Sequence, residues 1–154
     1  MKQIYLAGAI AGKTFDECNN WRKLVEAHLV RYPNVAVRNP LRGKEHFRQS
    51  AEKFTKFEYA SNPITTQKGI VRRDFNDVIT SDCLLVNLLG TTEKSIGSLM
   101  ELAWAYQLRI PVVLLMEPEG NINDHLFVRE CATYQTDNMW EALDLCLHIL
   151  GEIK

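Results

Sequence analysis

A single α/β domain on a five-stranded, parallel, doubly wound sheet in the order 2-1-3-4-5, flavodoxin- or Rossmann-like, is predicted by three observations. Short apolar runs alternate with segments of helical period along the 154 residues, the pattern of a parallel sheet with right-handed crossovers. The run 83–89 is almost continuously apolar, as expected of a strand buried on both faces. The loops 8–14 and 90–98 are rich in Gly, Ser and Thr. In such sheets ligands bind beyond the carboxyl ends of strands 1 and 3, where the winding direction reverses.

The elements follow in order. Residues 4–10 read as the first strand, running into the small-residue turn Gly8-Ala9-Ile10-Ala11-Gly12. Phe15, Cys18, Trp21, Leu24, Val25 and Leu29 recur at three and four residues, which places them on one helix face. Tyr32-Pro33-Asn34 ends that helix, and Val35-Ala36-Val37 forms a short second strand stopped by Asn39-Pro40. Residues 68–81 predict a helix with Ile70, Val71, Phe75, Val78 and Ile79 toward the core. A third strand over 82–89, a helix over 99–108 and a strand over 111–116 come next. A brief strand near 132–134 and a helix over 139–150 complete the pattern.

The segment 41–67 breaks the rhythm. It carries Arg42, Lys44, His46, Arg48, Lys53 and Lys56, with Lys68 nearby, interleaved with Phe47, Phe54, Phe57 and Tyr59. A connection this long suits a substrate lid, whose aromatics stack on a base while its cations meet a phosphate. It equally suits a partly helical surface insertion with ordinary packing.

Composition excludes several classes. With 18 basic against 19 acidic residues, the net charge of −1 lacks the electrostatic footprint of a nucleic-acid polymer binder. The longest apolar runs are far too short to span a membrane. Cys18, Cys83, Cys131 and Cys146 lie far apart with no metal-ligand spacing. No basic stretch followed by an apolar one opens the chain. A cytoplasmic protein with reduced thiols and no bound metal is the expectation.

Two motifs compete for the chemistry. Ala7-Gly8-Ala9-Ile10-Ala11-Gly12-Lys13-Thr14 fits a relaxed phosphate-loop pattern between a strand and a helix. There, backbone amides would wrap phosphates, Lys13 would reach the outer ones, and the Thr14 hydroxyl would hold magnesium, as in a nucleotide kinase or NTPase. Alanine in the first glycine position and Glu117 after the fourth strand, where an Asp is usual, depart from that pattern. The second motif comprises Arg73-Asp74, Ser81-Asp82 and Ser95-Ile96-Gly97-Ser98-Leu99-Met100-Glu101-Leu102-Ala103.

Together with Ile4-Tyr5-Leu6-Ala7-Gly8, this second motif resembles the nucleoside 2-deoxyribosyltransferase superfamily, including its nucleoside 5′-monophosphate N-glycosidase branch. The family pattern is a first strand ending in a small-residue loop, an Asp on a helix, and an (S/A)D eight residues later. A Gly-containing loop then leads into E-L-(G/A). The resemblance covers most of the chain and is weakest over 41–67. It implies cleavage of an N-glycosidic bond with Glu101 as nucleophile, forming a covalent glycosyl-enzyme. It implies Asp74 as an acid or sugar-positioning partner, and Tyr5 as the residue that orients the nucleophile.

Six residues before the nucleophile, transferases acting on free nucleosides tend to carry Asp. The monophosphate branch has Ser in an S-(L/I)-G run, matched here by Ser95-Ile96-Gly97. An Asp would repel a 5′-phosphate, whereas Ser95, Gly97 and Ser98 can donate to one. That branch also has an Arg after its G-S-I; Gly8-Ala9-Ile10 is instead followed by Ala11, which leaves Lys13 or Arg42 to supply the cation. The implied substrate is a nucleotide or nucleoside, no cofactor is needed, and the family commonly completes its site across a homodimer or larger homo-oligomer.

Local readings compete with these roles. Ser98-Leu99-Met100-Glu101 is also a capping box, in which the Glu would bond back to the cap's amide. Asp74 could pair with Arg72, Arg73 or Lys68 on an exposed helix face. Asp82, a substrate-binding candidate, could instead accept backbone hydrogen bonds at a strand start. His125, beside Asp124, could contact substrate across a dimer or be a solvated loop residue. A non-catalytic nucleotide-binding module on the same fold is the remaining class.

Overall fold

Side-chain alternation along β1 (Lys2–Gly8) sets up the two faces of the sheet: Ile4 and Leu6 belong to one apolar core, Tyr5 and Ala7 to the other, and all four are inaccessible to solvent. The computed structural model describes residues 1–49, 53–55 and 65–153. β1 pairs in parallel with β2 (Val35–Arg38) and β3 (Cys83–Asn87); β3 pairs with β4 (Val112–Leu115), and β4 with β5 (Tyr134–Thr136). The order is β2-β1-β3-β4-β5, as the sequence pattern predicts. Gly8 lies opposite Asn87, so β1 and β3 end level and their loops open side by side at the switch point.

Helices α1 (Phe15–Leu29) and α5 (Met139–Ile149) cover the Ile4/Leu6 face. Helices α2 (Gln67–Ile79), α3 (Ile96–Gln107) and α4 (Leu126–Glu130) contribute to the Tyr5/Ala7 face through Val78, Leu102 and Val128. Thr14 and Glu17 form a reciprocal capping box that starts α1. Helix α4 is a short element with no apolar repeat to announce it.

Helix phases differ from expectation in an informative way. Leu24, Val71 and Ile79 are exposed, while Arg22, Asp74 and Asp77 are buried in their place. Both α1 and α2 are thus rotated so that polar side chains face the carboxyl end of the sheet. Helix α3 begins at Ile96, three residues before the expected start, which alters the role of Ser98 described below.

The described part of 41–67 packs rather than hangs free. Leu41 and Phe54 join Phe15 and Cys18 in a third small core. The Gly12 amide donates to the Phe54 carbonyl and the Phe54 amide to the Lys13 carbonyl, both at 2.8 Å. Phe54 is therefore a core residue and not a stacking platform; Lys56, Phe57 and Tyr59 lie outside the described residues.

Candidate active site

The inner stripe of α3, Ser98, Glu101, Leu102 and Ala105, lies against the sheet at spacings of three and four. It carries Glu101 over the middle of β1. There the Tyr5 hydroxyl donates to Glu101 Oε1 at 2.7 Å, a buried bond between residues 96 apart in sequence. The capping-box reading of Glu101 is thereby overturned. The cap position belongs to Ser95, Ser98 is the third helical residue, and the Glu101 carboxylate points into the protein.

Helix α2 adds Asp74, buried beside this pair, and not on an exposed face. Arg73 holds Asp74 Oδ1 through Nε at 3.2 Å and Nη2 at 3.1 Å. The same guanidinium donates to the Pro40 carbonyl at 2.7 Å and the Arg42 carbonyl at 3.3 Å, clamping the turn after β2 onto α2. Arg42 itself pairs with the buried Asp77 carboxylate at 2.6 Å. Expected as a phosphate-binding cation, Arg42 is instead committed to the clamp. At the end of this turn Lys44 is only 1% exposed.

A second cation closes the site from behind. Arg22, fully buried on α1, donates to the carbonyls of Leu6 at 3.3 Å, Gly8 at 3.0 Å and, through Nη1, Cys18. Its guanidinium stacks 4.5 Å from the Trp21 ring. Gly8 is required by this packing, since a Cβ there would meet Trp21 at 2.9 Å and the Asn87 carbonyl at 3.0 Å.

Burial and mutual repulsion tune the cluster. Glu101 is pushed up to about 8, first by burial and then by Asp74, against the Tyr5 hydrogen bond and the charges of Arg22 and Lys44. Burial raises Asp74 as well, opposed by Lys44 and Arg73. Burial and the two carboxylates hold the Tyr5 phenol far above its ordinary value, so it remains a donor. Lys44 is lowered to about 8 by burial, with Asp74 as the main group favouring its charged form.

The loop into α3 is held by side-chain hydrogen bonds. Ser95 N donates to Asn123 Oδ1 at 2.8 Å, and Ser95 Oγ lies 2.9 Å from Ser98 Oγ. The amides of Ile96, Gly97 and Ser98 begin the helix and have no carbonyl one turn earlier to receive them. A Cβ at Gly97 would meet nothing within 4 Å.

Other sequence candidates fall elsewhere. Ile10 packs on the third small core and its carbonyl accepts from Lys13 N at 3.1 Å. With the Gly12 and Lys13 amides bonded within the chain and Thr14 Oγ1 accepting from Glu17 N, the loop 8–14 does not form a phosphate cradle or a magnesium ligand. Lys13 is half-buried on this loop.

Asp82 sits at the amino edge of the sheet. Its Oδ2 accepts from Gln3 N at 2.8 Å, and Lys2 Nζ lies 3.6 Å from its Oδ1. Because β3 is parallel to β1, the residue that opens β3 cannot reach a site at the strands' carboxyl ends. His125 is the cap of α4, its Nδ1 accepting from Phe127 N at 3.3 Å. It lines a shallow apolar cavity with Leu99, Leu102 and Val128 whose walls include none of Tyr5, Asp74 or Glu101. Among the described residues, no three His, Cys, Asp or Glu side chains gather as a metal site, and no helix is long and apolar enough to cross a membrane.

Sequence reasoning passed over Arg22 as a neighbour of this cluster and named Lys44 only among the cations of a substrate lid. Arg22 had a signal: Phe15, Cys18, Arg22, Val25 and Leu29 step by three and four, placing a guanidinium within the apolar stripe. Lys44 had none, since a turn carries no periodicity.

Fold and site together define a doubly wound α/β protein with a buried carboxylate centre at the sheet's switch point. The chain matches the nucleoside 2-deoxyribosyltransferase family over residues 4–147 and belongs to it. No curated protein matches it. Among solved structures it is similar to a 2-deoxyribosyltransferase from Leishmania mexicana, at 15% identity and a TM-score of 0.67, covering 99% of this chain and 100% of that one. A 2-deoxyribosyltransferase from Bacillus psychrosaccharolyticus gives 17% and 0.64, covering 92% and 90%. A CMP N-glycosidase from Clostridium botulinum gives 15% and 0.54, covering 96% and 99%.

Proposed function

We propose that this protein cleaves the N-glycosidic bond of a nucleoside 5′-monophosphate through a covalent intermediate on Glu101. The observation that carries this reading is the buried Tyr5–Glu101 hydrogen bond beside Asp74. Tyr5 fixes one carboxylate oxygen and leaves the other to attack C1′ of the sugar. As that bond forms, the C1′–N bond breaks and its electron pair leaves with the base, which then takes a proton from water. Positive charge building on the sugar favours a site lined by carboxylates. Asp74, held by Arg73, is placed to accept from a sugar hydroxyl. Water then opens the glycosyl ester, giving a hydrolase; a second base in its place gives a transferase.

The preference for a phosphate rests on the loop 95–98, where first-turn amides and the positive end of α3 favour an anion beside open space. Lys13 is the remaining candidate cation. The commitment of Arg42 to Asp77 favours a second reading, a 2-deoxyribosyltransferase acting on free nucleosides. Free thiols throughout go with a cytoplasmic setting. A row of exposed apolar side chains, Ile96, Met100 and Tyr106 on α3 with Leu126 and Phe127 on α4, supports a homodimer.

Incubation with single nucleotides and their matching nucleosides, in EDTA, tests the assignment by release of free base. We expect release from a monophosphate, and its loss by several orders of magnitude in Glu101→Gln. Near-normal turnover in that variant would discard the covalent route.

A further inference from the structure

Along β1 the backbone groups of successive residues point to opposite neighbouring strands. Lys2 N donates to the Asn34 carbonyl at 2.7 Å on the β2 side, and the Gln3 carbonyl accepts from Asp82 N at 2.9 Å on the β3 side. The carbonyls of Ile4, Leu6 and Gly8 therefore all face β2. Pairing with β2 stops at Tyr5 and Arg38. Carried two residues further, the same register sets the Leu6 carbonyl against the nitrogen of Pro40, which has no hydrogen to give. One step beyond, the Gly8 carbonyl would call on Arg42 N, but that amide is turned to the Asn39 carbonyl at 3.1 Å. The ladder thus leaves two carbonyls without a donor, and Leu6 is out of reach of water.

Arg22 supplies both. Its Nε donates to the Leu6 carbonyl at 3.3 Å and its Nη2 to the Gly8 carbonyl at 3.0 Å, while Nη1 holds the Cys18 carbonyl one turn back on α1. The side chain is fully buried and forms no ion pair among the described residues. Burying a guanidinium without an acidic partner is costly. Every hydrogen bond it makes goes to a main-chain oxygen, so the end of β1 specifies its place. Trp21, the preceding residue on α1, packs against Gly8 from the same side.

The break in the ladder has a consequence for the site. Released from β1 after Arg38, the chain crosses to α2, where Arg73 takes the Pro40 and Arg42 carbonyls and Arg42 takes Asp77. The sheet is therefore split at its carboxyl end between β1 and the turn after β2. We propose that Arg22 is a positioning residue of this active site: standing in for a strand, it holds the end of β1 so that the loop after β1 and the turn after β2 form two separate walls of the substrate cleft. This role rests on the reading of Tyr5 and Glu101 as the reacting centre.

Protein labelled with 13C at the Leu and Gly carbonyls tests it. In Arg22→Met, which keeps an apolar stem and removes every donor, the Leu6 and Gly8 carbonyl signals should move upfield, as carbonyls do on losing a donor. KM for base release from a nucleoside 5′-monophosphate should rise about tenfold or more with little change in kcat, the signature of lost substrate positioning. A merely structural role would lower the amount of active enzyme and leave KM where it was. Arg22→Lys, which keeps a cation without the fork, should show both effects at smaller size, and it serves if Arg22→Met does not fold. Unmoved carbonyl signals in a folded variant, or moved signals with KM unchanged, overturn the proposal. If the wild type releases no base, Kd for the same monophosphate by calorimetry takes the place of KM. A weaker Kd with moved signals then upholds the role of Arg22 while the assigned reaction falls; an unchanged Kd sinks both.

Discussion

Glu101 holds its proton far more tightly in the folded chain than an ordinary carboxyl does, about 8 against 4.5. The sign of the consequence follows from linkage. A folded-state value raised above the unfolded one gives stability that is fully present below about 4.5 and is lost as pH climbs through about 8. Glu101→Gln keeps an oxygen that can accept from Tyr5 but never acquires the charge. We therefore expect its thermal midpoint to gain on wild type as pH rises from about 5 to about 9, by several degrees for a domain of this size. A constant gap between the two proteins over that range, measured by thermal melts, would mean Glu101 is not buried against a second carboxylate. Active sites commonly keep such unfavourable charge because the reaction needs it.

The N-terminus of α3 is held by a polar scaffold on the loop that follows β4. Asn123 accepts from Ser95 N and donates to Thr91 Oγ1 at 2.8 Å, while Asn121 and Gly90 both donate to Glu117. The loop 95–98 is thus held in place by the chain itself, which would limit the ordering cost of the phosphate binding we propose there. Placing a carboxylate there sets it against an incoming phosphate, and like charges about 4 Å apart repel by roughly 4 kcal/mol at an effective dielectric near 20. Ser95→Asp should therefore lower kcat/KM for a monophosphate by at least about tenfold while changing that for the matching nucleoside much less. If wild type already prefers the free nucleoside, the transferase reading replaces the phosphate one.

At the scale of the whole molecule, the helices of the Tyr5/Ala7 face present apolar side chains to solvent. Exposed Ile96, Met100 and Tyr106 on α3 and Leu126 and Phe127 on α4 leave apolar surface beside the site. Light scattering should give a mass near twice 17.7 kDa, and Met100→Glu combined with Phe127→Glu should shift it toward the monomer. A wild-type mass equal to one chain at every concentration would remove the dimer from the proposal.

The alternation of apolar runs and helical periods was enough to predict the five strands, their order and the switch point, because burial on both faces of a parallel sheet leaves an apolar run in the inner strands β1, β3 and β4. Glu101 and Tyr5 were legible for another reason: their motif sits at fixed places in that framework. What the sequence could not determine was which local bond each polar group would choose. Ser98 and Glu101 satisfied a capping pattern that the real start of α3, at Ile96, made irrelevant. Asp82 looked like part of the same motif, yet strand direction sends it to the opposite edge of the sheet. The phases of α1 and α2 were decided by Arg22, Asp74 and Asp77 turning inward at the expense of Leu24, Val71 and Ile79. Lys44 lies buried on a turn that Arg73, some thirty residues further along, ties onto α2. Hydrophobic burial acts on each segment separately and so can be read along the chain. The pairing of buried charges depends on distances between segments, and only the tertiary structure sets those.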